Sequence, residues 1–438
     1  MPARYCAKSH KGGRGASNQS SIKPAGYASI RQRGRVGLAT PVPPAAAGDS
    51  QVFANAGPIG DIEMTNNRPA HAGMPVAEVD TPALALDMPA FTRNLEKMQA
   101  ELAGSGVALR AHGKAHKCPD IAKRQIALGA VGVCCQKVSE AEVFVDAGIG
   151  SVLVTNEIVA AAKLARLAAL ARRADVMVLC DDASVVPLLG ESARAAGTGL
   201  KVLVEVEVGG KRCGIAPGEE AARLAGLIER ESGLSFAGLQ AYCGSAQHKP
   251  DYAERRDMTA RVVEAVKTTL SALGEAGFAR AFVTGGGTGS YPFERDSGVF
   301  TEVQAGSYAF LDTDYARILG EDGKPVRTFE QSLFLLSTVI SRATKNRAVL
   351  DAGHKAHSMD SGLAGIAAPP GGRVTGQSDE HMVVALEAGT PPGFAIGDQV
   401  RLVPGHVDPT FNLRDWIVCM RGDAVEDVWA IAARGPGL

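Results

Sequence analysis

Aromatic residues are scarce in this chain. Only 5% of its 438 residues are Phe, Trp or Tyr, which weakens any reading built on stacked nucleic-acid bases. Net charge is nearly absent too, at −1. Without a basic excess the chain lacks the electrostatic footprint of a nucleic-acid or acidic-membrane binder. No apolar run approaches the roughly 20 residues that span a bilayer. Of the eight cysteines, none forms a Cys-x-x-Cys pair. They fall in apolar runs such as VGVCCQ and VMVLCDD, the usage of buried free thiols in a reducing compartment. The expectation is a cytoplasmic chain with no nucleic-acid and no membrane partner.

Acidic residues are missing from the first 48 positions, which hold eight Lys and Arg among much Ser, Gly, Ala and Pro. Residues 1–77 therefore read as a disordered N-terminal extension that buries too little apolar surface to order itself. A basic, acid-free start is also the composition of an organelle transit peptide. No clear amphipathic helix supports that reading, and there is no apolar stretch for a secretory signal.

What is present is a regular alternation. TPALALD reads as a short strand over 81–87, and PAFTRNLEKMQAEL as a helix with an apolar face. Eight strand candidates follow: VALRAHGK, VGVCCQ, SVLVTN, DVMVLCD, LKVLVEVEV, SFAGLQAY, RAFVTGGG and EVQAGSYAF. Helical stretches such as VAAAKLARLAALARR separate most of them. Apolar strands alternating with helices imply a parallel sheet covered on both faces, and eight units imply an α/β fold built on a closed (β/α)8 TIM barrel. The barrel domain is assigned to 78–325. Beyond it, runs such as SLFLLSTVISRA, HMVVALEA and DWIVCMRGD are divided by Gly, Pro and Asp. Residues 326–438 thus read as a C-terminal, mostly β domain, with the 81–87 strand a candidate to pair with it.

Barrel catalysis belongs at the C-terminal ends of the strands. The first ends in His112-Gly-Lys114, and strand alternation would turn both side chains inward. A lysine there can be desolvated and serve as a Schiff-base amine; the alternative is a solvated surface lysine. The seventh is followed by Gly285-Gly286-Gly287-Thr288-Gly289, whose backbone N–H groups can cradle a phosphate or merely make a turn. The sixth leads to Tyr242 and His248, the latter a general base or a loop histidine. Arg212 follows the fifth. In the β domain, His406 and Asp408 lie two apart on what reads as an extended segment. The pair suits a divalent metal with open positions, leaning to Mn²⁺ or Mg²⁺, with Zn²⁺ the alternative; otherwise it is a turn.

Together HGKAHKCPDIA, VGVCCQKVSEAE, VTNE, RCGI, GLQAYCGSAQH, GGGTGS, EVQAGSYAFLDTDY, LDAGHK, SDEH and VPGHVDPTFNLRDW resemble the D-threonine aldolase and D-serine dehydratase family. These are alanine-racemase-like, fold-type III pyridoxal-phosphate enzymes, and within them the chain is most similar to D-threonine aldolases. The resemblance covers about residues 78–436. It implies that Lys114 holds pyridoxal 5′-phosphate covalently, with Arg212 near the pyridine nitrogen and Tyr242 by the ring. It also implies that Gly286, Gly287, Thr288, Gly306, Ser307 and Tyr308 hold the phosphate region. His406 and Asp408 would bind the metal, and His248 would act on the substrate hydroxyl. The implied reaction is retro-aldol cleavage of a D-3-hydroxy amino acid to glycine and an aldehyde, by a homodimer. Dehydration of D-serine or 3-hydroxyaspartate, 3-hydroxyaspartate cleavage and a non-catalytic cofactor carrier are the alternatives. Asp408 stands where the dehydratases usually carry a cysteine, which favours the aldolase side. Arg414 replaces a common aromatic, and an arginine near the pocket would favour a substrate with a second carboxylate. Met382 replaces the Gly that usually follows Asp-Glu-His.

Overall fold

The computed structural model describes residues 67–435, except 279, 280, 388, 390 and 391. The expectations for residues 1–66 lie outside the described residues. Residues 67–77 differ from the disordered extension expected of them. Gly73 N–H donates to Val425 O, Val76 N–H to Asp423 O, and Val425 N–H to Met74 O. Ala70 and Val76 bury their side chains, which repays the ordering of this segment.

The first strand, β1 (Ala83–Asp87), leads into a helix over Met88–Leu102. Asp87 caps that helix by accepting the Ala90 N–H at 3.0 Å, and Pro89 fits its first turn. Eight parallel strands then close a barrel in sequence order. They are β2 (Ala108–His112), β3 (Gly132–Cys135), β4 (Ser151–Glu157), β5 (Asp175–Cys180), β6 (Leu200–Glu205), β7 (Leu234–Ala241), β8 (Phe282–Gly285) and β9 (Glu302–Val303). Pairing of β2 with β9 completes the ring. All eight strand runs read from the sequence are barrel strands.

The barrel interior has two halves. Cys134, Leu153, Met177, Leu179 and Leu203 make an apolar cluster from β3 to β6. The other half is polar. Arg110 Nε lies 3.0 Å from Glu302 Oε1, and its Nη1 donates to Ser151 Oγ at 2.9 Å. Thr284 donates to Glu302, and Gln240 and Gln304 exchange amide hydrogen bonds. Buried polar groups paired in this way avoid the cost of desolvation without compensation.

The second part is a nine-stranded sheet made of β1 with β10 (Leu333–Thr344), β11 (Arg347–Leu350), β12 (Gly365–Ala368), β13 (Gly372–Gln377), β14 (Met382–Leu386), β15 (Gln399–Val403), β16 (Trp416–Arg421) and β17 (Ala424–Ala430). β1 sits between β10, antiparallel, and β16, parallel. The strands β12 and β13 were not read from the sequence, because IAAPPGGRVTGQ carries Gly and Pro where strand residues are usual. One core joins the two parts. Leu84, Leu86 and Phe91 pack in it with Phe310, Val407, Phe411, Ile417 and Trp429.

Candidate active site

The β2 strand stops at His112, and Gly113–Ala115 form a 3-10 turn. Lys114 is therefore not on the strand, contrary to the alternation expected of it. His112 turns into the barrel, where its Nε2 lies 3.2 Å from Thr155 Oγ1 and 3.3 Å from Gln136 Nε2. Burial, then the nearby Lys114 charge, keep His112 well below the usual imidazole range. Gly113 is required at the turn, since a Cβ there would lie 2.6 Å from the Phe144 ring.

Lys114 reaches from the barrel to the β domain and pairs with Asp408. Burial works against its charge, yet the Asp408 carboxylate outweighs it and raises the amine's pKa. In return Lys114 overcomes burial at Asp408 and holds it at about 2. Asp408 is not on an extended segment. A helix spans Val407–Asn412, with His406 as its N-cap residue. Asp312 fixes that helix start. It is fully buried, takes the Val407 N–H at 2.9 Å and takes the N–H groups of Asp314 and Tyr315 on its other oxygen. Helix-start amides favour such a carboxylate.

His406 Nδ1–H donates to Asp360 at 2.7 Å, which leaves Nε2 as the ring atom for a metal. That orientation by a carboxylate is the usual support of a metal-bound histidine. Asp408 Oδ1 is buried without a hydrogen-bond partner. An orphaned carboxylate oxygen beside an oriented imidazole fits a divalent ion. His248 ends a 3-10 turn after β7, and its ring lies 6.2 Å from that of His406 and 5.9 Å from that of Tyr315. Its Nδ1–H donates to Asp314, which Arg317 also holds. The hydrogen bond to Asp314 raises the His248 pKa against the effect of burial.

The phosphate-cradle residues form two loops in contact. Thr288 Oγ1 accepts from Tyr308 N–H at 3.0 Å. Among the described residues, no protein acceptor takes the N–H groups of Gly286, Gly287, Thr288, Gly306 or Ser307. Such unspent donors fit an anion. Close packing forces the glycines: a Cβ on Gly287 would lie 2.6 Å from Gln247, and one on Gly306 would lie 2.9 Å from His112 O. Tyr308 differs from the phosphate contact expected of it: its N–H is spent on Thr288, its ring packs on Phe329 and its hydroxyl accepts from Gln125. Arg212 lies 5.8 Å over the Tyr242 ring and 3.4 Å from Glu205. Arg414 does not face this site. Its guanidinium donates to Pro82 O and lies near Asp415 and Asp351, so the expected influence on the substrate side chain has no geometric basis.

Asp312, Asp314, Tyr315 and Asp360 were given no role from the sequence. The first three stand in LDTDY, a run quoted for the resemblance, and Asp360 had no signal at all.

This architecture is that of the alanine racemases: a parallel barrel with an amine at its mouth, completed by a β domain. Residues 86–314 match the alanine racemase N-terminal domain, and residues 332–420 the serine dehydratase domain. The chain is 47% identical to a D-threonine aldolase from Arthrobacter sp, over 84% of this chain and 96% of the relative. It is 43% identical to a 3-hydroxy-D-aspartate aldolase from Paracoccus denitrificans, with the same coverage of 84% and 96%. The crystal structure of D-threonine aldolase from Filomicrobium marinum superposes with a TM-score of 0.80 at 47% identity, covering 84% of this chain and 99% of that one. The chain belongs to the alanine-racemase-like family that contains these aldolases.

Proposed function

We propose that this chain is an aldehyde-lyase that cleaves D-3-hydroxy amino acids of the D-threonine kind to glycine and an aldehyde, using pyridoxal phosphate and a divalent metal. The observation that carries the reading is the meeting of Lys114, Asp408, His406 and His248 beside loops whose amide donors are unspent. Lys114 would hold the cofactor, with Gly286, Gly287, Thr288, Gly306 and Ser307 at its phosphate and Tyr242 and Arg212 at its ring. His406 and Asp408 would hold the metal, Mn²⁺ or Mg²⁺ by donor type. When bound, the cofactor supplies an electron sink at the carbon bearing the amine, and the metal makes a hydroxyl more acidic.

The chain's own groups do the rest. Asp408 must release Lys114 for the amine to be used, which frees the carboxylate for a metal. Asp314 fixes the His248 tautomer so that Nε2 faces the site as a base. His248 then removes the proton of the 3-hydroxyl and keeps it while the aldehyde leaves. Seven described cysteines, all free, support a cytoplasmic setting, and the resemblance supports a homodimer, which sedimentation would reveal.

The test is product analysis on D-threonine, D-serine and D-3-hydroxyaspartate, with and without chelator. Glycine plus an aldehyde is expected, and chelation should abolish it. Ammonia plus a 2-oxo acid would identify a dehydratase instead. Lys114→Ala should lose the yellow absorbance of the lysine imine and the borohydride-trapped adduct; retention of both removes Lys114 from its role.

A further inference from the structure

We propose that the ends of β4, β5 and β6 form a second divalent-cation site, built from Glu157, Asp181, Cys213 and Glu205, for a thiol-accepting ion of the Zn²⁺ class. It does not depend on the aldolase reading, and it shares no residue with the His406–Asp408 pair.

The barrel topology brings the donors together. Glu157 is the last residue of β4, Asp181 follows β5, and Glu205 is the last residue of β6. Cys213 lies in the loop after β6. One ligand atom from each of Glu157, Asp181 and Cys213 lies within 4.8 Å of the others. The loop folds back because Gly214 adopts φ +111°, where a Cβ would come within 2.5 Å of Glu207 N. Gly214 N–H donates to Asp181 Oδ2 at 2.9 Å. That bond aims the carboxylate and leaves Oδ1 for an ion, as outer hydrogen bonds do for metal ligands.

An independent observation comes from Glu205. It is only 3% exposed, its Oε2 has no hydrogen-bond partner, and the carboxylate it faces is Glu157. Glu157 Oε1 is also buried without a partner. Two carboxylates thus meet with one buried, unpartnered oxygen each, an arrangement that is costly unless a cation or a shared proton lies there. The nearest cation, Arg212, has a side chain 55% exposed and reaches only the other Glu205 oxygen, at 3.4 Å. Burial and then Glu157 push Glu205 up to about 8. Burial and the same carboxylate push Cys213 up to about 11.

Carboxylates alone would suit Mg²⁺ or Ca²⁺, but a thiol among them selects Zn²⁺ or Cd²⁺. Binding converts Cys213 to a thiolate bonded to the ion and releases its proton to solvent. The ion would also neutralise Glu205 on the side away from Arg212, and so help to set where that guanidinium lies against Tyr242.

The experiment uses the full-length chain, stripped by chelator and titrated with Cd²⁺. It reads the thiolate-to-cadmium ultraviolet difference absorbance and the bound ions per chain. One thiolate-bound ion per chain is expected, besides any ion at His406 and Asp408. His406→Ala should keep the signal. Cys213→Ser should abolish the signal, and Asp181→Asn should weaken it by about tenfold or more in Cd²⁺ affinity. Alkylation mapping of the wild-type chain gives a reading that no variant's folding can obscure. Cys213 is the one described cysteine that is not fully buried, so Zn²⁺ should slow its modification. Absence of the signal in wild type, its loss in His406→Ala, its survival in Cys213→Ser, or unchanged alkylation of Cys213 with Zn²⁺ would each overturn the site; the first and last would mean that a shared proton alone joins Glu157 and Glu205.

Discussion

At the scale of single residues, the site works by pairing each chemical group with a carboxylate. Lys114 has Asp408, His406 has Asp360, and His248 has Asp314. The last pair gives a pH prediction. Because Asp314 raises the His248 pKa, the base is lost to protonation as pH falls, so turnover should decline on the acid side. Asp314→Asn should move that decline to lower pH, and His248→Asn should cost about 10²–10⁴ in kcat; kcat measured against pH checks both. A second buried acid sits under the glycine loop. Gly289 N–H donates to Gln247, which donates to Ser290, which donates to Glu294. Burial pushes Glu294 up to about 7 from its ordinary 4.5. Its folded value lies above its unfolded one, so its protonated form favours the fold. The contribution is complete below about pH 4.5 and disappears as pH climbs through about 7. At about 1.4 kcal/mol per pH unit this amounts to roughly 3 kcal/mol. In denaturant titrations from pH 4.5 to 7, stability should fall with pH less steeply in Glu294→Gln than in wild type, by about 1.4 kcal/mol per pH unit.

At the scale of elements, the polar half of the barrel interior replaces apolar packing with a network. Arg110, from β2, spans to Glu302 on β9 and to Ser151 on β4, so one side chain ties the first strand of the ring to its last. Glu302→Ala would leave a buried guanidinium without its partner, which costs about 3–5 kcal/mol; urea midpoints of the variant and wild type would measure it. The elements themselves were largely legible. Each barrel strand is an apolar run, and each run is bounded by helix-forming sequence. The short helix at Val407–Asn412 was not, because VPGHVDPTFN, with Gly405 and Pro409, read as an extended segment or a turn. Nor were the partners of the site. Asp314 is 66 residues from His248, and Asp312 is 95 from Val407. Such pairings are made by tertiary packing and leave no local pattern. Lys114, by contrast, was found from its place after a strand, although the detail of a turn in place of an extended end was missed.

At the scale of the whole molecule, the barrel and the sheet are not independent. Leu84, Leu86 and Phe91 share their core with Val407, Phe411, Ile417 and Trp429. A chain ended after residue 325 would expose that apolar face, and surfaces of this kind drive aggregation. It should accumulate as insoluble or high-mass material; a monodisperse soluble barrel in gel filtration would contradict the shared core. The cysteines and the glycine loops also belong to this scale, since their meaning came from where the alternation of strands placed them.

The pairing of β1 also dictates the timetable of synthesis. This strand leaves the ribosome well before its neighbours β10 and β16. Until then its two edges have nothing to bond, and a bare apolar edge invites strange partners. Maturation of this sheet therefore waits for β16, and the interval before it is when a chaperone has most to offer.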